Sequence, residues 1–312
     1  MAAIGSITQP SDRLDALARS RQRAALLPEI IVDAKRIANT VIAGWHGRKK
    51  RGVGENFWQY RPHVEGETMA RIDWRRSARD DETYVRDLEW EAAHTVWIWC
   101  DESASMLFKS THARISKEHR AMVLALSLAE LLSRGGERVG YPGLLKPVMS
   151  KNGAERFAGA LTADPAMRPG SSASRPALDQ VRRFSDLVLI SDFLEPVDEI
   201  ETLIEDIAKR GARAHLIEVL DPAEEVFPYS GRTEFTDPES GQRITAGRAE
   251  QWAQAYRDLH AARREALAHH CARLGWSYTV SHTDALASEA LLGVYAHLTG
   301  EPMATSRSQR GG

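Results

Sequence analysis

At 312 residues the chain exceeds the usual single-domain size of about 100–200 residues, so one large domain, or one domain plus a smaller module, is expected. Hydrophobic residues at 43 % and charged residues at 27 % are ordinary for a chain that buries a core, and exclude a wholly disordered, collagenous or fibrous protein. The formal net charge of −2 gives no global attraction to polyanions, and two cysteines, Cys100 and Cys271, exclude a disulfide scaffold and a cysteine-rich zinc site.

Two cysteines and no basic-then-apolar leader make a reducing, cytoplasmic setting the expectation. The longest apolar run, 121–132, falls short of the roughly 20 residues that cross a bilayer. Residues 1–25 are polar and basic, expected as a flexible segment with a short helix near 12–23. Ile30, Ile31, Ala34, Ile37, Ala38 and Val41 recur at helical spacing and predict a helix over 28–42, with Pro28 suited to its first turn. The block 44–91 is rich in glycine, turn pairs and aromatics; six of the eight tryptophans lie between Trp45 and Trp99. With the preceding helix it is expected to form a small β-rich module over 26–92.

From Thr95 the pattern alternates. Strands are predicted at 95–100, 137–145, 186–191, 213–220 and 276–281, with 144–150 as a hairpin or edge partner. Helices are predicted at 113–134 (stopped by Gly135 and Gly136), 153–162, 174–184, 197–210, 248–273 and 284–298. A surface hairpin over 221–247 turns at Pro238, Glu239, Ser240 and Gly241, and 301–312 reads as a disordered tail. Strands alternating with helices of this length give an α/β fold: a doubly wound, mostly parallel sheet over 93–300, with the small Trp-rich β module before it.

Ligands of open α/β sheets bind beyond the carboxyl ends of the strands. The first strand runs into Asp101, Ser103 and Ser105, and the strand at 186–191 runs into Asp192. An Asp-x-Ser-x-Ser loop sets one carboxylate and two hydroxyls at alternate positions, hard oxygens suited to Mg²⁺ or Mn²⁺, with Asp192 as a second carboxylate. Singly, each residue reads as a turn former or helix cap; the conjunction favours a metal-type loop.

The segment from Thr95 to about Leu298 resembles the von Willebrand factor type A domain, whose metal-ion-dependent adhesion site carries DxSxS, then a Thr loop, then an Asp. Asp101, Ser103, Ser105 and Asp192 match it, and Ser172, in Gly170-Ser171-Ser172, takes the Thr position with its hydroxyl retained. The preceding block, with Phe57, Tyr60-Arg61-Pro62, Gly66-Glu67, Arg71-Ile72-Asp73-Trp74-Arg75, Ser77-Ala78-Arg79, Tyr84-Val85-Arg86 and Glu91, resembles the signature of the domain-of-unknown-function 58 family. It departs at Glu67, where Asp is usual. The resemblance covers roughly 26–300 and implies a partner or substrate adaptor of a MoxR-type AAA+ ATPase, with the cation at Asp101, Ser103, Ser105, Ser172 and Asp192.

Arg71, Arg75 and Arg79 stand among acidic neighbours, either as internal ion pairs or as a surface for an acidic partner. The run Arg48, Lys49, Lys50, Arg51 is the strongest local positive patch; it reads as a solvated loop, with nucleic-acid binding as its alternative. No GxSxG elbow, Walker loop, HExxH or dinucleotide fingerprint appears. Adjacent His269, His270 and Cys271 point to different faces of a helix, and His112 and His119 read as exposed. The expected function is therefore a non-enzymatic, metal-dependent protein–protein interaction module. A metal-dependent hydrolase, with Glu102 as its only candidate base, and a nucleic-acid-associated protein are the alternatives.

Overall fold

Pro28 does not begin a helix. In the computed structural model, which describes residues 10–46, 57–63, 69, 72–79, 82–88, 94–162 and 175–299, a single helix α1 (Pro10–His46) runs straight through it. Proline inside a helix frees the carbonyl four residues earlier. Pro28 and Ala24, whose carbonyl is the one freed, lie on the exposed side of the helix. The opposite stripe, Leu27, Ile30, Ala34, Ala38 and Val41, is buried in the main hydrophobic core. This helix, grouped by the sequence with the Trp-rich block, thus belongs to the sheet: residues 1–43 and 94–312 form one unit and 44–93 another.

The larger unit is built on a six-stranded sheet in the order β10-β7-β6-β3-β4-β5. Its strands are β3 (Thr95–Cys100), β4 (Arg138–Tyr141), β5 (Leu145–Val148), β6 (Asp186–Ser191), β7 (Arg213–Leu220) and β10 (Ser277–His282). All neighbours run parallel except β5, which folds back antiparallel on β4 at the edge. β3 and β6 are central and nearly free of polar side chains, as strands covered on both faces must be. Helices α3 (Lys117–Arg134), α4 (Gly153–Leu161), α5 (Val197–Lys209), α7 (Ala253–Arg273) and α8 (Ala287–Leu298) flank it.

α3 is buried on almost every position from Arg120 to Ser133, so it is a core helix rather than an amphipathic surface one. Ser116 caps its start by accepting from the His119 amide. α4 meets it closely at Gly153, where a Cβ would fall 2.3 Å from the Ala129 carbonyl oxygen; only glycine admits that approach. Lys35 of α1 pairs with Glu155 of α4, and Arg134 donates to Asn39.

The predicted helix over 174–184 is absent from its described part, 175–184. Two turns replace it, closed by Val181 N to Leu178 O and Ser185 N to Arg182 O, and Phe184 sits at a left-handed φ of 65° that no helix tolerates. The 221–247 segment begins with a short helix α6 (Pro222–Val226) and then forms the expected hairpin, β8 (Thr233–Thr236) and β9 (Arg243–Ala246). That hairpin packs on its own small aromatic cluster around Phe227, with Tyr229, Phe235 and Tyr256.

The 44–93 unit contains an antiparallel pair, β1 (Phe57–Pro62) and β2 (Tyr84–Leu88), and a single-turn helix α2 (Trp74–Ser77). The Asp73 carboxylate accepts from the amides of Arg75 and Arg76, the Ser77 hydroxyl links that turn to the Tyr84 amide, and the Arg76 guanidinium lies 4.6 Å over the Tyr84 ring. Arg75 and Arg79 are exposed; Arg71 and the 48–51 run lie outside the described residues. Among the described residues, no helix is long and apolar enough to cross a membrane.

Because Ile30 is fully buried in the main core, Ile30→Ala is expected to lower the stability of the principal unfolding transition by about 2–5 kcal/mol. Urea denaturation followed by tryptophan fluorescence checks this; an unchanged transition would return α1 to the other unit.

Candidate functional site

Three adjacent strands end in aspartate: β3 in Asp101, β6 in Asp192 and β7 in Asp221. All three side chains are buried. Each is held by a local turn. Asp101 accepts from the Ser103 amide (2.8 Å) and, through its other oxygen, from the Ser191 hydroxyl (2.6 Å). Asp221 accepts from the amides of Ala223 and Ser110 (both 2.9 Å), while its own amide donates to Glu224 Oε2, completing a capping box at α6. The turn after Asp192 places Phe193 at φ 49°, a strained conformation for a bulky residue. Arg263 of α7 pins it by donating to the carbonyls of Phe193 and Glu195.

A cavity of about 520 Å³ opens between these strand ends and the β8–β9 hairpin. Ser103, Ser105 and Asp192 line it, with Asp101 beneath them. The structure therefore brings together four of the five residues expected as ligands; Ser172 lies outside the described residues. The Ser103 and Ser105 hydroxyl oxygens are 3.0 Å apart. Adjacent corners of an octahedron with bonds of about 2.1 Å have that same separation, so the hydroxyl pair fits a hard cation. Among the described residues, no three His, Cys, Asp or Glu side chains are grouped to hold a metal ion.

Four cavity residues escaped the sequence: Lys117, Glu195, Glu224 and Glu239. Lys117, at the first turn of α3, is fully buried and donates to Asp192 Oδ2 (2.8 Å) and Glu224 Oε1 (2.5 Å). Burial pulls its ammonium pKa down, but the two carboxylates outweigh burial and hold it above the ordinary value, so it stays charged. Glu195 is pushed up to about 7, by burial first and then by Asp101 and Asp192. Glu239, at the tip of the β8–β9 hairpin, crosses to the site and accepts from the Ser105 amide at 2.9 Å. Lys117 follows a recognisable cap, Ser116, but nothing local marks it as buried; Glu239 sits in a turn whose polar residues are expected anyway.

The electrostatic balance is negative. Asp101 is pushed up to about 6 by burial and by the nearby Asp192 charge. Two close, buried carboxylates with only Lys117 bridging to one of them leave room for a further cation.

A parallel sheet whose neighbouring strand ends converge hydroxyls and carboxylates on one cavity is an α/β protein with its ligand end at that cavity. The chain belongs to the family described as "Protein of unknown function DUF58", whose profile matches residues 59–267. Uncharacterized protein Mb1516 of Mycobacterium bovis and uncharacterized protein Rv1480 of Mycobacterium tuberculosis are each 29 % identical over 232 residues, 70 % of this chain and 71 % of theirs. Among solved structures, the conserved hypothetical protein BatB from Bacteroides thetaiotaomicron has 16 % identity and a TM-score of 0.35. An aerotolerance-related membrane protein from Bacteroides fragilis has 16 % identity and a TM-score of 0.37. Both alignments cover 67 % of this chain and all of the other. Likeness this partial adds nothing to the functional reading.

The Asp101 shift gives a signed expectation. The unfolded carboxylate ionises near 3.8 and the folded one near about 6, so between those values the folded chain keeps a proton the unfolded chain has lost. Raising pH through that window favours unfolding, by about 3 kcal/mol in all. In chelator, Asp101→Asn should gain stability relative to wild type by roughly that amount between pH 4 and pH 8, measured by denaturant titration. A constant difference across the range would mean Asp101 is not held in a charge-disfavouring site.

Proposed function

We propose that this chain is a metal-dependent protein–protein interaction module of the von Willebrand factor type A kind, serving as partner or substrate adaptor of a MoxR-type AAA+ ATPase. The observation that carries this reading is the pairing of the Ser103 and Ser105 hydroxyls, 3.0 Å apart, beside Asp192 and above Asp101 at one cavity. Asp101, Ser103, Ser105, Ser172 and Asp192 would hold Mg²⁺ or Mn²⁺ directly or through water, and a bound cation would offer an open position to a carboxylate of the partner.

Each residue has a part in that reading. The hydroxyls are neutral donors, so the cation keeps enough charge to attract an outside carboxylate. Asp101 and Asp192, held by Ser191 and Lys117, supply charge from behind without crowding the open side. Lys117 neutralises part of Asp192, which moderates the pull on the cation. Glu239 already lays a carboxylate against the Ser105 amide, so the cavity mouth accommodates the group a partner would present. Exposed Arg75 and Arg79, with Arg71, would meet acidic surface of the ATPase or client. No catalytic base is required, and the module works in the cytoplasm beside its ATPase.

Isothermal titration of Mg²⁺ and Mn²⁺ into the full chain is expected to show saturable one-site binding that Asp101→Ala abolishes and Ser103→Ala weakens at least tenfold. Wild-type heat identical to that of Asp101→Ala, both with the candidate ATPase present and without it, would sink the metal reading.

A further inference from the structure

We propose a second binding site at the opposite end of the sheet, for a compact polyphosphate anion. At the amino ends of β3, β4 and β6 a cavity of about 510 Å³ is lined by Arg138, Lys146, Arg182 and Arg183, with Trp97 and Phe184. Its volume is that of a small-ligand site. Among the described residues, no carboxylate lines it and none of its four cations makes an ion pair. The carboxylate that follows, Asp186, is already matched: Arg213 holds it through two hydrogen bonds of 2.7 and 2.9 Å, and His94 and His215 stand beside it. Four like charges gathered around one concavity without counter-charge repel one another. A multiply charged anion relieves that repulsion, and arginine's fork of donors matches phosphate oxygens in pairs.

Two independent features point the same way. Trp97 is 3 % exposed and, among the described residues, its indole N–H has no acceptor, an unsatisfied donor beside a cavity lined by cations. Phe184 is 75 % exposed and stands at φ 65°, a conformation costly for an aromatic residue, with its amide bonded to the Gly211 carbonyl. Neither burial nor backbone preference accounts for a phenyl ring held there. The Arg183 guanidinium lies 4.6 Å over that ring, and its stem crosses Gly211, where a Cβ would come within 2.8 Å. The ring and guanidinium stand together at the rim of the basic cavity. A nucleoside joined to the phosphates would stack there; inorganic polyphosphate would use the cations alone.

The test is calorimetric titration of the full chain with sodium tripolyphosphate, ATP and adenosine in chelator, so that the Asp101 end carries no metal. Saturable binding of tripolyphosphate is expected. The double variant Arg138→Gln/Arg182→Gln should weaken it at least tenfold, and raising salt from ~50 to ~300 mM several-fold. Asp101→Ala and the exposed hairpin variant Arg243→Gln, both at the other end of the sheet, should leave it unchanged; all the positions replaced at the cavity are exposed, and thermal melts verify folding. ATP binding tighter than tripolyphosphate, with the advantage lost in Phe184→Ala, assigns a nucleotide. Equal affinity assigns inorganic polyphosphate. Adenosine binding as well as ATP, affinity indifferent to the double variant, no saturable binding of either phosphate, or equal competition by a polyglutamate peptide of matched charge would each overturn the polyphosphate site.

Discussion

The buried ammonium of Lys117 is the contact on which the carboxyl end of the sheet depends. It comes from the first turn of the central helix and reaches Asp192 at the end of β6 and Glu224 in α6. Glu224 in turn holds the Asp221 amide, and Asp221 holds the Ser110 amide of the loop leading back to α3. One cation thus closes a ring of polar contacts through segments far apart in sequence. A buried charge without its partners costs several kcal/mol, so these loops cannot rearrange independently. The positions of Ser103, Ser105 and Asp192 around the cavity follow from that closure.

Much of the architecture was legible because central parallel strands are covered on both faces. TVWIWC and DLVLIS have nothing to hide and read as buried strands directly, and the aspartates that terminate them stand out against that background. The Asp-x-Ser-x-Ser loop was visible for the same reason, since its geometry is set within five residues. The misreadings have equally local causes. Pro28 resembles a helix start because sequence cannot say which side of a helix faces water. The stretch before β6 carries Leu178 and Val181 at helical spacing, yet its backbone is committed to turns by Pro176 and by Phe184.

What was not legible is everything that depends on two distant segments meeting. Lys117, Glu195, Glu224 and Glu239 lie at ordinary polar positions of a helix turn, a loop, a short helix and a hairpin. Their importance arises only when β6, α6 and the hairpin are brought to one cavity. The basic cavity is the same kind of object: Arg138, Lys146 and the Arg182-Arg183 pair are unremarkable one by one, and gather only because β3, β4, β5 and β6 are neighbours in the sheet. The fold consequently separates charge along the strand axis, with a carboxylate cluster at one end and, among the described residues, cations without carboxylate partners in the cavity at the other. A net charge of −2 conceals that polarity.

The hairpin tip adds a question of populations rather than of shape. Residues Asp237 to Gln242 bond chiefly to one another. Among the described residues, their hydrogen bonding to the rest of the unit is the single contact from Glu239 to the Ser105 amide. A hydrogen bond to a charged group is worth about 1.5–3 kcal/mol net. Set against thermal energy, that leaves the tip detached in between about one molecule in ten and one in a hundred at any moment. The cavity mouth is therefore a fluctuating aperture, and whatever enters must arrive during those openings or displace a tethered carboxylate whose local concentration never dilutes.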